Sequence, residues 1–91
     1  MYEVIFKPAA SASRKSLTKQ ELQEALKRIQ SLRFMPVPNE ATPVEGKAGL
    51  FYHLQIQNLT MAYEVIHGLR LVNIWVFLRD GPDNVIDILK G

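Results

Sequence analysis

The sequence predicts an α+β fold: an antiparallel sheet, made of an N-terminal strand and a three-strand meander, with one main helix packed on one face. Two features indicate this fold, a capped stretch of helical periodicity near residues 19–33 and three alternating apolar segments between residues 50 and 79. With 91 residues the chain can enclose one thin core. We therefore expect a single domain spanning residues 1–91.

Composition excludes several classes of protein. Hydrophobic residues make up 47% of the chain and charged residues 22%, which is ordinary for a folded protein. The absence of cysteine excludes disulfides, cysteine-ligated zinc and cysteine nucleophiles, and two histidines are too few for a convincing metal site. The longest apolar run, residues 74–78, is far too short to span a membrane, and the N-terminus lacks the features of a secretory signal. We expect a cytoplasmic protein that needs no cofactor.

Positive charge is concentrated in one stretch of the chain. Residues 7–33 contain seven Lys or Arg against two Glu, whereas the whole chain carries a net charge of only +2. A basic stretch of this kind favours binding to nucleic acid or to an acidic partner. A solvated helix face is the plainer interpretation of the same residues.

The N-terminal third of the chain begins with a strand. Apolar residues alternate with other residues over positions 2–7, and Pro8 ends the segment. Residues 9–16 are small, polar and basic, which predicts either a loop or a ragged helical turn.

The main helix has the clearest local signal. Thr18 and Glu21 have the spacing of a capping box, and Leu17 and Leu22 flank the cap as a hydrophobic staple. A stripe of apolar residues then follows at helical spacing, at Leu22, Ala25, Leu26, Ile29 and Leu32. We predict a helix over residues 19–33.

Three strands are predicted after an extended, proline-rich connector at residues 34–49. They span about residues 50–57, 60–67 and 70–79, with two-residue turns at Asn58-Leu59 and Gly68-Leu69. The side chains expected to face the helix are Tyr52, Leu54, Ile56, Met61, Tyr63, Val65, Val72, Ile74, Val76 and Leu78. The tail opens with a turn at residues 80–83 and continues as a short helix or an edge strand.

The predicted turns determine which residues meet on the other face of the sheet. His53 then lies opposite Glu64, Glu64 opposite Asn73, and Trp75 opposite Ala62. A glutamate beside a histidine can orient the ring and raise its basicity, which suits proton transfer near neutral pH. A solvated surface pair is the alternative interpretation.

Aromatic and aliphatic residues share that second face. Leu71, Trp75 and Phe77 are expected there, and a single helix cannot cover both faces of the sheet. The chain's own tail, a partner protein or stacked nucleic-acid bases are the three candidate covers.

The layout resembles the RelE/ParE superfamily of toxins from toxin–antitoxin systems. The resemblance lies in four segments, Val44-Glu45-Gly46-Lys47, Tyr52-His53-Leu54-Gln55-Ile56, Met61-Ala62-Tyr63-Glu64-Val65 and residues 71–79 with their closing arginine. It implies a RelE-like fold and a cognate antitoxin wrapped on the toxin. RelE-type members cut messenger RNA on the ribosome, and ParE-type members poison DNA gyrase.

Carried over position by position, the resemblance implies a partial active site. His53 stands where the family's strand pair begins with a basic residue, and Arg79 is the arginine that closes the last central strand. If the chain is an enzyme, we expect His53, oriented by Glu64, to transfer the proton, and Arg79 to hold the phosphate with Lys47 in place of a missing cation. Two other basic positions of the family are substituted, by Gln55 and Thr60, and the tail position that is often tyrosine in RelE-type members falls near Val85.

Two further sets of residues complete the prediction. Cations expected to contact ribosomal RNA are Lys15, Lys19, Lys27 and Arg28. The alternative function is a catalytically inactive binding module or a gyrase inhibitor that uses Leu71, Trp75 and Phe77 to contact its partner.

Overall fold

The computed structural model describes residues 1–44 and 50–79. In this part of the chain a five-stranded sheet has the strand order β1-β5-β4-β3-β2. The elements are β1 (Glu3–Phe6), α1 (Pro8–Arg14), α2 (Lys19–Leu32), β2 (Thr42–Pro43), β3 (Phe51–Ile56), β4 (Leu59–Ile66), a 3₁₀ turn (His67–Leu69) and β5 (Leu71–Leu78). The α+β fold class predicted from the sequence is confirmed.

Both edges of the sheet come from segments that precede the meander. β1 lies at one edge, as predicted, but it pairs with β5 in parallel. The sheet is therefore mixed, and the prediction of an antiparallel sheet was wrong for this strand. The other edge is β2, a two-residue strand within the proline-rich connector, which pairs antiparallel with β3. A proline is tolerated at an edge because one side of the strand needs no hydrogen-bond partner.

A second helix lies where the sequence predicted a loop or a ragged turn. α1 begins at Pro8, a position that tolerates proline because the first helical amides have no acceptor within the helix. Its Ala10 is completely buried against the sheet. The helical layer therefore consists of α1 and α2 on the same face.

The predicted capping box of α2 is confirmed. The Thr18 amide donates to Glu21 Oε1 over 2.9 Å, and the Glu21 amide donates to Thr18 Oγ1 over 3.1 Å. Of the predicted stripe, Ala25, Ile29 and Leu32 are buried, whereas Leu26 is 41% exposed.

The turn between β3 and β4 lies one residue earlier than predicted. The prediction of a turn at Asn58-Leu59 was wrong, because Ile56 pairs with Leu59 and the turn residues are Gln57 and Asn58. Gln57 adopts a positive φ of 53°. Leu59 is fully buried at the start of β4, and burying a leucine contributes about 1.5–3 kcal/mol, which favours this register.

A β-bulge in β5 divides its side chains between the two faces differently from the prediction. The predicted pair of Trp75 with Ala62 was wrong, because Ala62 pairs with Val76 and Tyr63 with Ile74, so Trp75 is the extra residue. Because side chains alternate along a strand, the bulge reverses the faces of all later positions. Val72 and Ile74 face the helices as predicted.

The positions after the bulge were assigned to the wrong faces. Val76 and Leu78 lie on the face opposite the helices, and Phe77 lies in the main core, where it is 4% exposed. The Phe77 amide donates to Ser13 Oγ of α1 over 3.1 Å, so the helix satisfies a backbone group of this part of β5.

We call the face opposite the helices the open face. A smaller cluster of buried side chains lies there, formed by Val44, Ala62 and Val76, with Phe51, Trp75 and Leu78 packed against it. Lys47 and the tail, residues 80–91 with Val85, lie outside the described residues, so the predictions made for them stay predictions. Within the described ranges, no helix is long and apolar enough to cross a membrane.

Candidate functional site

His53 and Glu64 both belong to the open face, but they are not opposite each other. His53 pairs with Ala62, and Glu64 pairs with Phe51, because the turn lies one residue earlier than predicted. The two side chains are therefore diagonal neighbours, a relation that separates Cα atoms by roughly 7–8 Å. The predicted direct pair is wrong.

Glu64 has other partners instead. Its Oε1 accepts a hydrogen bond from Asn73 Nδ2 over 3.0 Å and another from Trp75 Nε1 over 3.2 Å. The predicted alignment of Glu64 with Asn73 is confirmed. Since Asn73 is buried, this carboxylate satisfies polar groups that would otherwise lack partners.

His53 is half-buried, and this burial changes the pKa of its imidazole ring. Burial lowers the pKa of the His53 imidazole from its usual value of 6.5. The ring is therefore mostly neutral at pH 7, which is the form that can accept a proton. The cause is desolvation, and this is the opposite of what a neighbouring carboxylate would do.

Arg79 lies on the side of the helices. Its guanidinium forms an ion pair with Glu21, in which Nη1 and Nη2 each donate to one carboxylate oxygen. Nη2 also donates to the backbone oxygen of Ser16 over 2.9 Å. The hydrogen bonds that Arg79 donates to the Glu21 carboxylate lower the pKa of Glu21 to about 2, and the hydrogen bond from the Thr18 amide is the second cause.

The bulge explains why Arg79 and His53 are on different sides. In a regular strand, odd-numbered residues of β5 would continue on the open face, so that Arg79 would point the same way as Trp75. The extra residue at Trp75 reverses this alternation, and Arg79 follows Phe77 to the helical side. The predicted catalytic set is therefore not assembled on one face.

The predicted RNA-contacting cations of α2 are partly neutralised. Arg28 donates to Glu40 over 3.0 Å, and Lys27 lies 4.0 Å from Glu24. Lys15 and Lys19 are exposed near the junction of α1 and α2. The four predicted cations therefore fall into two groups: Lys27 and Arg28, which are paired with carboxylates, and Lys15 and Lys19, which are exposed near the junction of the two helices.

The predicted partner surface is also divided by the bulge. Leu71 and Trp75 are half-buried on the open face, but Phe77 is buried in the core and cannot contact a partner. Trp75 packs against Phe51 with ring centroids 5.9 Å apart. Lys7 Nζ lies 5.3 Å from the Trp75 ring centroid, a cation–π contact that no pattern in the sequence predicts.

A pocket of about 220 Å³ lies away from the open face, between α2 and the connector. Leu32, Met35 and Leu54 line it, together with the ion pair of Arg28 and Glu40. In the described part of the chain no group of three or more acidic or histidine side chains could hold a metal ion.

Comparisons with known proteins identify the fold. No protein-family model matches the chain, and no curated protein matches it in sequence. Among solved structures, the archaeal RelE–RelB complex from Pyrococcus horikoshii matches with a TM-score of 0.75 and 22% identity, over 84% of this chain and 91% of that one. The intact E. coli RelBE toxin–antitoxin complex matches with a TM-score of 0.77 and 17% identity, over 89% and 99%. The isolated E. coli RelE toxin matches with a TM-score of 0.77 and 13% identity, over 99% and 97%. The chain has the RelE fold.

Proposed function

We propose that the chain is the toxin component of a toxin–antitoxin pair. The observation that carries this proposal is the match of nearly the whole chain to RelE toxins, which include proteins solved in complex with RelB antitoxins. Folds host many functions, so the match supports the class of protein and leaves the chemistry to the residues. A cognate antitoxin that binds and neutralises the chain is the partner implied.

Cleavage of ribosome-bound messenger RNA is the activity that we propose for the toxin. His53 is its proton carrier, since it is accessible from the open face and burial lowers its pKa toward the neutral, proton-accepting form. Glu64 takes no part in the proposed proton transfer, because its carboxylate accepts hydrogen bonds from Asn73 and Trp75. Its role is to hold the strands that frame His53.

The phosphate must be stabilised by cations placed where negative charge develops. Arg79 remains the proposed donor, and it reaches a phosphate only at the end of β5, beside Ser16 and Glu21. Lys47, on the connector, is proposed as the second donor, in place of one of the family cations that this chain lacks.

A growth assay tests the toxin proposal. The chain is expressed from an inducible promoter in bacteria, alone and together with any short reading frame found adjacent to its gene. We expect growth arrest with the chain alone and rescue by co-expression. Undisturbed growth at a confirmed level of folded protein would contradict the toxin proposal.

A second assay tests the chemistry. Ribosome-bound messenger RNA is mapped by primer extension after induction, with wild type, His53→Ala and Gln55→Ala. Gln55 lies on the same strand and face, so its variant controls for surface truncation. We expect cleavage to be lost only in His53→Ala. Arrest without RNA cleavage, accompanied by relaxed plasmid DNA, would instead identify a gyrase inhibitor.

A further inference from the structure

Basic residues from two segments surround the start of β1, at the opposite end of β5 from Arg79. The Tyr2 amide donates to the Arg33 carbonyl over 2.8 Å, and the Glu3 amide donates to the Arg70 carbonyl over 2.9 Å. The Tyr2 hydroxyl is hydrogen-bonded to His67 Nδ1 over 2.8 Å. We call Arg33, His67 and Arg70 the basic corner.

Within the described residues, the arginines of the basic corner form no ion pair with a carboxylate, which they share with Lys15 and Lys19 but not with Lys27, Arg28 and Arg79. The Nε of Arg33 is buried and lacks a hydrogen-bond acceptor. A buried donor of a charged group is unfavourable without an acceptor, and an anion bound at the corner would supply one.

The backbone of Arg70 provides a second, independent observation. Its φ of 50° and ψ of 53° are left-handed, a conformation that favours glycine or asparagine over a residue with a long side chain. Apart from the turn residue Gln57, it is the only non-glycine residue with positive φ in the described ranges. Local strain of this kind is often retained where the side chain is needed for binding.

We infer that the basic corner binds a backbone phosphate of RNA. A guanidinium group is planar and can donate two parallel hydrogen bonds to two oxygens of one phosphate. RNA is favoured over an acidic peptide because the exposed ring of His67, held edge-on by Tyr2 at a centroid distance of 5.9 Å, offers a flat surface beside the cations for a base. The inference rests on the proposed function only in its choice of RNA as ligand.

The test measures binding of the full chain to a fluorescent, 2′-O-methylated single-stranded RNA by anisotropy at several salt concentrations. This RNA cannot be cleaved through a 2′-hydroxyl, so binding is measured separately from catalysis and from growth arrest. The variants are Arg33→Gln/Arg70→Gln and the charge-matched control Lys7→Gln/Arg14→Gln, whose cations lie over the rings of Trp75 and Phe6 and are not among the predicted RNA contacts.

We expect the corner variant to bind RNA about tenfold or more weakly, and its salt dependence to lose roughly 0.7 units of slope for the one lost phosphate contact. The control should lose less than half as much in log affinity. Equal losses in both variants would overturn the inference, because net charge alone would then explain the binding. Competition by an acidic peptide as effective as competition by unlabelled RNA would also overturn it.

A third variant separates a loss of RNA binding from a loss of folding. Arg70→Gly suits the left-handed backbone, so we expect it to unfold at a higher temperature than wild type while binding RNA several-fold more weakly. Unchanged RNA binding in this variant would contradict a role for the Arg70 side chain.

Discussion

The substitution Phe77→Ala tests the bulge on which the division of the two faces depends. In the structure Phe77 is 4% exposed within the main core, and truncating a buried phenylalanine costs about 3–5 kcal/mol. For a chain of 91 residues the total free energy of unfolding is expected to be about 5–14 kcal/mol. The variant would therefore lose a large share of its stability.

Urea unfolding followed by circular dichroism measures this loss. With a slope of about 1–3 kcal/mol/M, a loss of 3 kcal/mol lowers the midpoint by at least about 1 M. The melting temperature should fall by about 12 °C or more.

Two control variants make the result interpretable. Leu78→Ala truncates the next side chain, which is half-buried on the open face, and should cost less than about 2 kcal/mol. Leu69→Ala removes a side chain that is 71% exposed and should change stability by about 0.5 kcal/mol or less. A cost below about 1 kcal/mol for Phe77→Ala, together with a larger cost for Leu78→Ala, would refute the bulged register.

Three further predictions concern the open face and the N-terminus of α2. Glu64→Gln should leave the pKa of His53 unchanged in an NMR titration, because desolvation lowers it; a clear drop would show that the carboxylate acts on the ring. The pKa of Glu21 is lowered to about 2, so its contribution to stability is complete above its usual value of 4.5 and is lost as the pH falls toward 2. Glu21→Gln should therefore flatten the stability profile between pH 5 and 2 in chemical denaturation, and an unchanged profile would argue against the pair with Arg79. Thr18→Ala should cost about 1 kcal/mol in urea unfolding at pH 7, through loss of the helix cap, whereas Thr42→Ala, on an exposed edge strand, should cost less.

Local signals explain how much of the fold could be predicted from the sequence. The capping box of α2 involves groups three residues apart, so it is encoded where it acts. The faces of β3 and β4 were also predicted, even though their turn was misplaced by one residue. Moving the turn slides each opposite partner by two positions, and a shift of two leaves every side chain on its own face.

Features that depend on distant contacts could not be predicted in this way. The bulge at Trp75 adds one residue to β5, which changes the face of every later position, and no turn residue or glycine marks it in the sequence. The ion pair of Arg79 with Glu21 joins groups 58 positions apart. The prediction of the candidate site was wrong at these two points. It assumed that side chains alternate regularly along all of β5, which placed Arg79 and Phe77 on the wrong face.

The same bulge links the position of Arg79 to the stability of the core. Arg79 and Phe77 lie on one side of β5, so a register that moved Arg79 to the open face would also move Phe77 out of the core. Exposing that ring would forfeit about 1.5–3 kcal/mol of burial, in addition to the ion pair with Glu21. RNA that uses both His53 and Arg79 must therefore pass around the end of β5, from the open face to the N-terminus of α2. Crosslinking from a photoreactive group at Ser16 would detect such a path, and crosslinks confined to the open face would exclude Arg79 from contact with RNA.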